Sequence, residues 1–147
     1  MPDPIDSSVL EELLGYNARR ASLAVIGQFM QDMADFNLRP VEFSVLTLIA
    51  SNPGITARQI CQQLALLPPN LVGLLNTLSE RGLIERAPHP KDKRAMALSL
   101  SSDATALVRK AQAKARASDR KALKHLSVAE RQTLMTLLKK VYAPTQL

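Results

Sequence analysis

Lys91-Asp92-Lys93-Arg94 is the densest run of charge in the chain, three cations around one carboxylate, held between Pro90 and Ala95. Lysines in such a run neutralise phosphates and release counterions. By composition alone such a short run is more often a solvated hairpin tip; against duplex DNA its arginine can enter a narrow minor groove, where the potential is most negative. Catalytic chemistry finds no such footing. Cys61 is the only cysteine, and His89 and His125 lie far apart and near no cysteine or glutamate cluster. No local Ser or Cys stands with a histidine and an acid, as a nucleophilic mechanism needs. No spacing suits a metal. We therefore expect no enzyme, no metal and no cofactor.

The elements that must position these groups are marked by caps and periodicity. Ser8-Val9-Leu10-Glu11, Thr56-Ala57-Arg58-Gln59 and Ser127-Val128-Ala129-Glu130 read as capping boxes. The first predicts a long helix to about Phe36. Its apolar stripe runs Leu10, Leu13, Leu14, Ala21, Ala24, Val25, then rotates to Ile26, Phe29, Met30, Met33, Phe36. At 3.6 residues per turn these are two adjoining faces, as for a helix that packs against two bodies. Pro40 suits the first turn of a second helix, ended by Asn52-Pro53-Gly54. Thr56 to about Leu66 predicts a short third. Pro68 and Pro69 break the chain, and Pro69 can open a fourth helix that stops at Gly82. The period then changes. Leu83–Ala87 and Ala95–Leu100 read as strands, with Met96, Leu98 and Leu100 on one face. The segment between them, residues 88–94, is a stiff, basic hairpin tip. A long helix follows from about Ser102 to Lys124, and a last one from Ser127 to about Ala143.

Composition agrees with packed helices. Hydrophobic residues make up 46%, but only five aromatics occur and no Trp, so the core must be built from aliphatic side chains. At 147 residues the chain can bury a core without disulfides. Nineteen Lys and Arg against 13 Asp and Glu give +6, which suits an anionic partner. The charge is segregated: residues 1–52 carry three basic and seven acidic side chains, residues 101–147 ten and three. The acidic N-terminus is unlike a secretory signal. The longest uncharged run, Gln59–Ser79, is interrupted by Gln, Asn and Pro, which argues against a membrane span. The expectation is a protein of the cytoplasm with no membrane partner.

Two short helices joined tightly, the second followed by a basic hairpin, form a helix-turn-helix signature. Here the chain resembles the MarR family of winged-helix transcription regulators. The resemblance rests on Leu38-Arg39-Pro40-Val41-Glu42-Phe43, Thr56 to Leu64, Leu71 to Leu78, Arg81-Gly82-Leu83-Ile84-Glu85-Arg86, the Asp-x-Arg wing at Asp92 and Arg94, and Leu98-Ser99-Leu100-Ser101. It implies a mainly α fold, a winged helix-turn-helix of three helices plus a β-hairpin, flanked by N- and C-terminal dimerisation helices. Within one domain of residues 1–147, the DNA-binding lobe would be 38–100 and the dimerisation lobe 7–36 with 102–143. The implied function is a homodimeric, sequence-specific regulator on a pseudo-palindromic double-stranded operator. It would be a repressor released by a small aromatic acid or phenol.

Carried across, the DNA contacts would be Pro69, Asn70, Val72, Gly73, Asn76 and Thr77 on the recognition helix, with Lys91, Asp92, Lys93 and Arg94 on the wing. Asp92 would hold the Arg94 guanidinium and the turn. Two positions depart from the family pattern. Leu67 stands where a Ser or Thr usually caps the recognition helix, and Gly73 where Arg or Lys is common. The helix from Pro68 to Ser79 has no charge at all. Its lack of charge is the one feature favouring an alternative, a helical interaction module of this fold with weak or lost DNA binding. Tyr16, Arg20, Phe36 and Phe43 could line an aromatic ligand's pocket, although ordinary core packing accounts for the two phenylalanines as well. A thiol-sensing regulator through Cys61 is a second alternative. Its spacing from Leu64 favours a small buried hydrophobe instead. The seven cations of the 102–124 helix spread around its circumference and read as a solvated surface.

Overall fold

Caps and prolines set the helix boundaries in the computed structural model, which describes residues 1 and 3–143. The chain runs α1 (Ser8–Glu11), α2 (Leu14–Asp32), a 3-10 turn (Ala34–Phe36), α3 (Pro40–Ser51), α4 (Ala57–Leu64) and α5 (Pro68–Glu80). It continues with β1 (Ile84–Pro88), β2 (Met96–Leu100), α6 (Ser102–Ala122) and α7 (Val128–Tyr142). The fold is mainly helical with one antiparallel hairpin, as expected. Both later capping boxes form. Thr56 Oγ1 accepts the Gln59 N–H while Gln59 Oε1 accepts the Thr56 N–H, and Ser127 and Glu130 do the same.

The box expected at Ser8 does not form. Asp6 Oδ1 accepts the Ser8 N–H at 3.0 Å, which holds its carboxyl below the ordinary range. The first helix is a single turn, broken at Glu12 and Leu13. Asn17 Nδ2 donates to the carbonyls of Glu11 and Leu13, both at 2.8 Å, and so satisfies the end of α1. The long helix therefore starts at Leu14 and stops at Asp32. Asn37, left-handed at φ 49°, ends the 3-10 turn that follows. Smaller corrections have similar causes. Pro68, not Pro69, is the first residue of α5. Left-handed Ala65 closes α4 two residues early by donating its N–H to the Cys61 carbonyl.

The described residues fall into two compact units, one within Met1–Gln28 and Ala117–Leu147, the other Phe29–Arg116. The second unit holds an aliphatic core. Leu46 and Ile49 of α3, Ile60 of α4, Leu71 and Leu78 of α5, and Leu98 of β2 are fully buried. Met33 joins them from the end of α2's second stripe, and Phe29 meets Phe43 edge-on at 5.4 Å. Ile26 and Met30 of that same stripe stay exposed. The first unit buries little. No residue of α1 or α7 is buried, and Leu14 and Val141 are about two-thirds exposed (64% and 67%).

Four sets of contacts fix the hairpin and the start of α6 in the second unit. β1 and β2 pair from Ile84↔Leu100 to Pro88↔Met96. Ile55, in the loop before α4, bridges Leu98 on the other edge of β2. Gly82, at φ 70°, closes α5 with two reciprocal bonds, Gly82 N–H to Ser79 O and Leu83 N–H to Leu78 O. Ser101 Oγ donates to the Gly82 carbonyl at 2.7 Å and accepts the Ala104 N–H, tying the end of α5 to the start of α6.

Beneath this lies a nearly buried carboxylate. Glu42 of α3 pairs with Arg39 Nε and with Arg81 Nη1, each at 3.1 Å. Arg81 also donates to the carbonyls of Asn37 and Phe36. Truncating one partner leaves a desolvated charge and open carbonyls. Arg81→Ala should therefore lower unfolding stability by about 3 kcal/mol. Urea denaturation measures it; a loss within ~0.5 kcal/mol, the size of an ordinary surface change, would make the network a surface decoration.

Candidate nucleic-acid interface

A groove of about 410 Å³ runs between α4, α5 and the wing. It is lined by Arg58 of α4, Val72 and Asn76 of α5, Arg86 of β1, and Asp92 and Arg94 of the hairpin tip. Three arginines thus line one cleft with a single acidic residue. Strand pairing explains Arg86. It stands opposite Leu98 and two residues from buried Ile84, on the strand face that fronts α5. Its Nη2 donates to Asn76 Oδ1 at 2.9 Å. Arg58 enters through the capping box, which starts α4 at Ala57 and puts Arg58 in its first turn.

Of the expected recognition-helix residues, Pro69, Asn70, Val72, Gly73, Asn76 and Thr77 are all exposed along α5. Their chemistry differs from one to the next. Asn76 already has a partner in Arg86. Thr77 Oγ1 donates back to the Gly73 carbonyl at 3.1 Å, so its hydroxyl offers only an acceptor. Leu67 caps the helix without a side-chain bond. Pro68 and Pro69 explain why this is tolerated: neither has an N–H to satisfy, and the Asn70 N–H finds the Leu67 carbonyl.

The wing tip is organised by backbone bonds. His89 Nδ1 accepts the N–H groups of Lys91 and Asp92 at 3.2 and 3.1 Å. Asp92 Oδ1 accepts the Arg94 backbone N–H at 3.0 Å. The expected grip of Asp92 on the Arg94 guanidinium is absent, because a carboxylate two residues away closes an Asx turn first. Lys91, Lys93 and Arg94 are left exposed.

Sequence comparison places this arrangement. The MarR family profile matches residues 36–95, from the end of the 3-10 turn through the wing tip. A transcriptional regulatory protein for the hcr operon of Thauera aromatica is 34% identical over 131 residues, 88% of this chain and 78% of that protein. The chain belongs to the MarR family. The family is one of transcriptional regulators, so the MarR-type winged unit here is a DNA-binding regulator's. The transcriptional repressor CouR bound to a 23-mer DNA duplex superposes with a TM-score of 0.89 at 32% identity, over 95% of this chain and 99% of that one. CouR bound to p-coumaroyl-CoA gives 0.86 at 30% identity, over 95% and 99%.

Other expected site residues divide between the two units. Tyr16 and Arg20 lie in the first, where Arg20 Nη1 donates to the Tyr16 hydroxyl at 3.2 Å and the guanidinium lies 5.9 Å from the ring centre. Phe36 and Phe43 lie in the second, half-buried against its core. Cys61 is also half-buried, not fully as its spacing suggested. It sits in an apolar cleft with Ala57, Pro68, Leu71 and Val72. Among the described residues no three His, Cys, Asp or Glu side chains gather to hold a metal, and no helix is long and apolar enough to cross a membrane.

Arg58 and Arg86 are absent from the sequence-level expectation, which followed consecutive charge. Their signals were the second helical position after a capping box and the period-2 face of Ile84. For the wing, the two N–H bonds to His89 carry a direct consequence. His89→Ala should speed amide exchange at Lys91 and Asp92 by roughly fivefold to tenfold, the worth of one hydrogen bond of about 1 kcal/mol. Exchange at Ile84 and Leu98 should not change. Unaltered exchange at all four would show that the imidazole does not hold the tip.

Proposed function

We propose that this MarR-family chain acts in the cytoplasm as a homodimeric repressor of pseudo-palindromic operators. The observation that carries it is the groove lined by Arg58, Arg86, Arg94 and Asn76, in which Arg86 bonds Asn76. It presents cationic charge beside an exposed helix of amides and small residues. In this reading residues 38–100 form the DNA-binding lobe, and 7–36 with 102–143 the dimerisation lobe. Arg94 enters the minor groove and Lys91 and Lys93 hold phosphates. Asp92 shapes the turn, and Pro69, Asn70, Val72, Gly73, Asn76 and Thr77 face the major groove. CouR's complexes with DNA and with p-coumaroyl-CoA support release by an aromatic acid or its thioester. Tyr16 and Arg20 are the candidate anchors, a phenol and a cation in hydrogen-bond contact on one helix.

The experiment is a gel shift on the DNA upstream of the gene, with a salt titration of wing variants. Arg94→Ala should weaken specific binding by about 1–3 kcal/mol, most where the contacted groove is A·T-rich. Lys91→Ala and Lys93→Ala should weaken specific and scrambled duplexes nearly equally and lower the salt slope by roughly one each. Adding p-coumaroyl-CoA or a benzoate-like acid should release the bound duplex. If Arg94→Ala binds both duplexes like wild type, the wing is a solvated loop and this reading of it fails.

The dimer rests on exposed apolar surface. Leu13, Leu14, Leu23, Leu137 and Val141 of the first unit are all at least half exposed, more than a lone soluble unit leaves uncovered. Sedimentation at micromolar concentration should give about twice 16.1 kDa. A clean monomer would remove the two-fold reading of the operator.

A further inference from the structure

We infer that Arg86 sets the base preference of Asn76, turning an amide that would otherwise suit adenine into part of an all-donor head suited to guanine. The inference rests on the DNA-reading function proposed above. A free asparagine reads adenine with both ends, Oδ1 accepting from the N6 amine and Nδ2 donating to N7. That needs the oxygen's base-side lone pair open; Oδ1 has two lone pairs, but with a guanidinium bound in the groove the N6 amine would have to approach beside a cation. In this structure the Asn76 oxygen is held by Arg86 Nη2 at 2.9 Å. A guanidinium has donors and no acceptor, so the group it holds must be the oxygen and the amide cannot turn round. The Nδ2 amine is then the end left for a base.

Arg86 adds its remaining N–H groups at the same place. Both side chains are exposed and both line the groove beside the wing. The pair therefore presents donors only. On the major-groove edge guanine shows two adjacent acceptors, N7 and O6, while adenine sets an N6 amine beside N7. A donor-only head matches the first and leaves the adenine amine unpaired. Arg86 is fixed by strand pairing rather than by the helix it serves, opposite buried Leu98. The β-hairpin thus edits what a residue of α5 can read.

Selection from a randomised duplex library by the full-length protein tests this. Wild type should enrich guanine at one position in each half-site. Asn76→Ala should flatten the preference at that position. Arg86→Met keeps the stem and removes the fork, so the same position should move from guanine toward adenine, the ratio changing roughly tenfold or more, as for a bidentate base contact. Arg86→Lys, which still offers donors only but lacks the planar fork, should keep guanine with a weaker preference than wild type and keep the wild-type salt dependence. Thermal melting of each variant checks that it is folded, which exposure of both side chains leads us to expect. If Arg86→Met keeps the wild-type guanine preference and binds all sequences more weakly, Arg86 is a phosphate contact and the inference is wrong. A selective wild type whose profile survives Asn76→Ala also overturns it alone. A wild type that enriches nothing overturns it together with the DNA-reading function.

Discussion

The Glu42 carboxylate is almost out of water, and among the described residues two guanidinium groups compensate for it. Desolvation on that scale costs several kcal/mol per ion, so the pair adds little net stability over an apolar substitute. Its effect is positional. Arg81 lies at the C-terminal cap of α5 and reaches across to α3 and to two carbonyls after α2. The end of the recognition helix is therefore fixed against the turn that leads out of α2. An apolar contact there would slide; three directional bonds to one fork do not.

The remaining constraints build on that anchor. Once α5 is placed, the Gly82 turn and the Ser101 hydroxyl decide where β1 departs and where α6 begins. The bridge from Ile55 to Leu98 fixes the far edge of the hairpin to the loop before α4. With both edges of β2 bonded, the wing's base cannot drift sideways, and the register brings Arg86 to Asn76. Only the tip beyond Pro88 depends on local bonds, those of His89 and Asp92. Rigidity at the base with local shaping at the tip suits a hairpin that must follow a groove.

Much of this was legible in the sequence where the signal was local. The boxes at Thr56 and Ser127, Pro40, Gly82 and the alternating strand all act through neighbours within four residues. The Ser8 box failed because Asp6 competed for the same N–H, and a short polar side chain two residues back wins over a helical cap. Asp92 was assigned the right turn and the wrong atom for the same reason. Long-range partners were not legible. Nothing about Glu42 or Arg81 in isolation reveals that 39 positions apart they share a proton-rich contact. Arg58 and Arg86, single cations outside the basic run, join the site only through the tertiary fold. Cys61 kept its apolar neighbours but not full burial, since helical spacing gives direction and not depth.

The absence of charge from Pro68 to Ser79, the feature most at odds with DNA reading, has a physical account. Pro68 and Pro69 remove two of the N–H groups that a helix start would offer a phosphate. Leu67 supplies no capping hydroxyl, and Gly73 no cation. Every charge withdrawn from α5 reappears on a flanking element: Arg58 on α4, Arg86 on β1, Lys91, Lys93 and Arg94 on the tip. Phosphate attraction needs proximity and not a particular helix, because it is long-ranged and carries no sequence information. A helix relieved of that task can keep small and apolar residues such as Gly73 and Val72, which let its backbone approach the bases closely. Its reading then depends on what neighbouring strands do to its few amides.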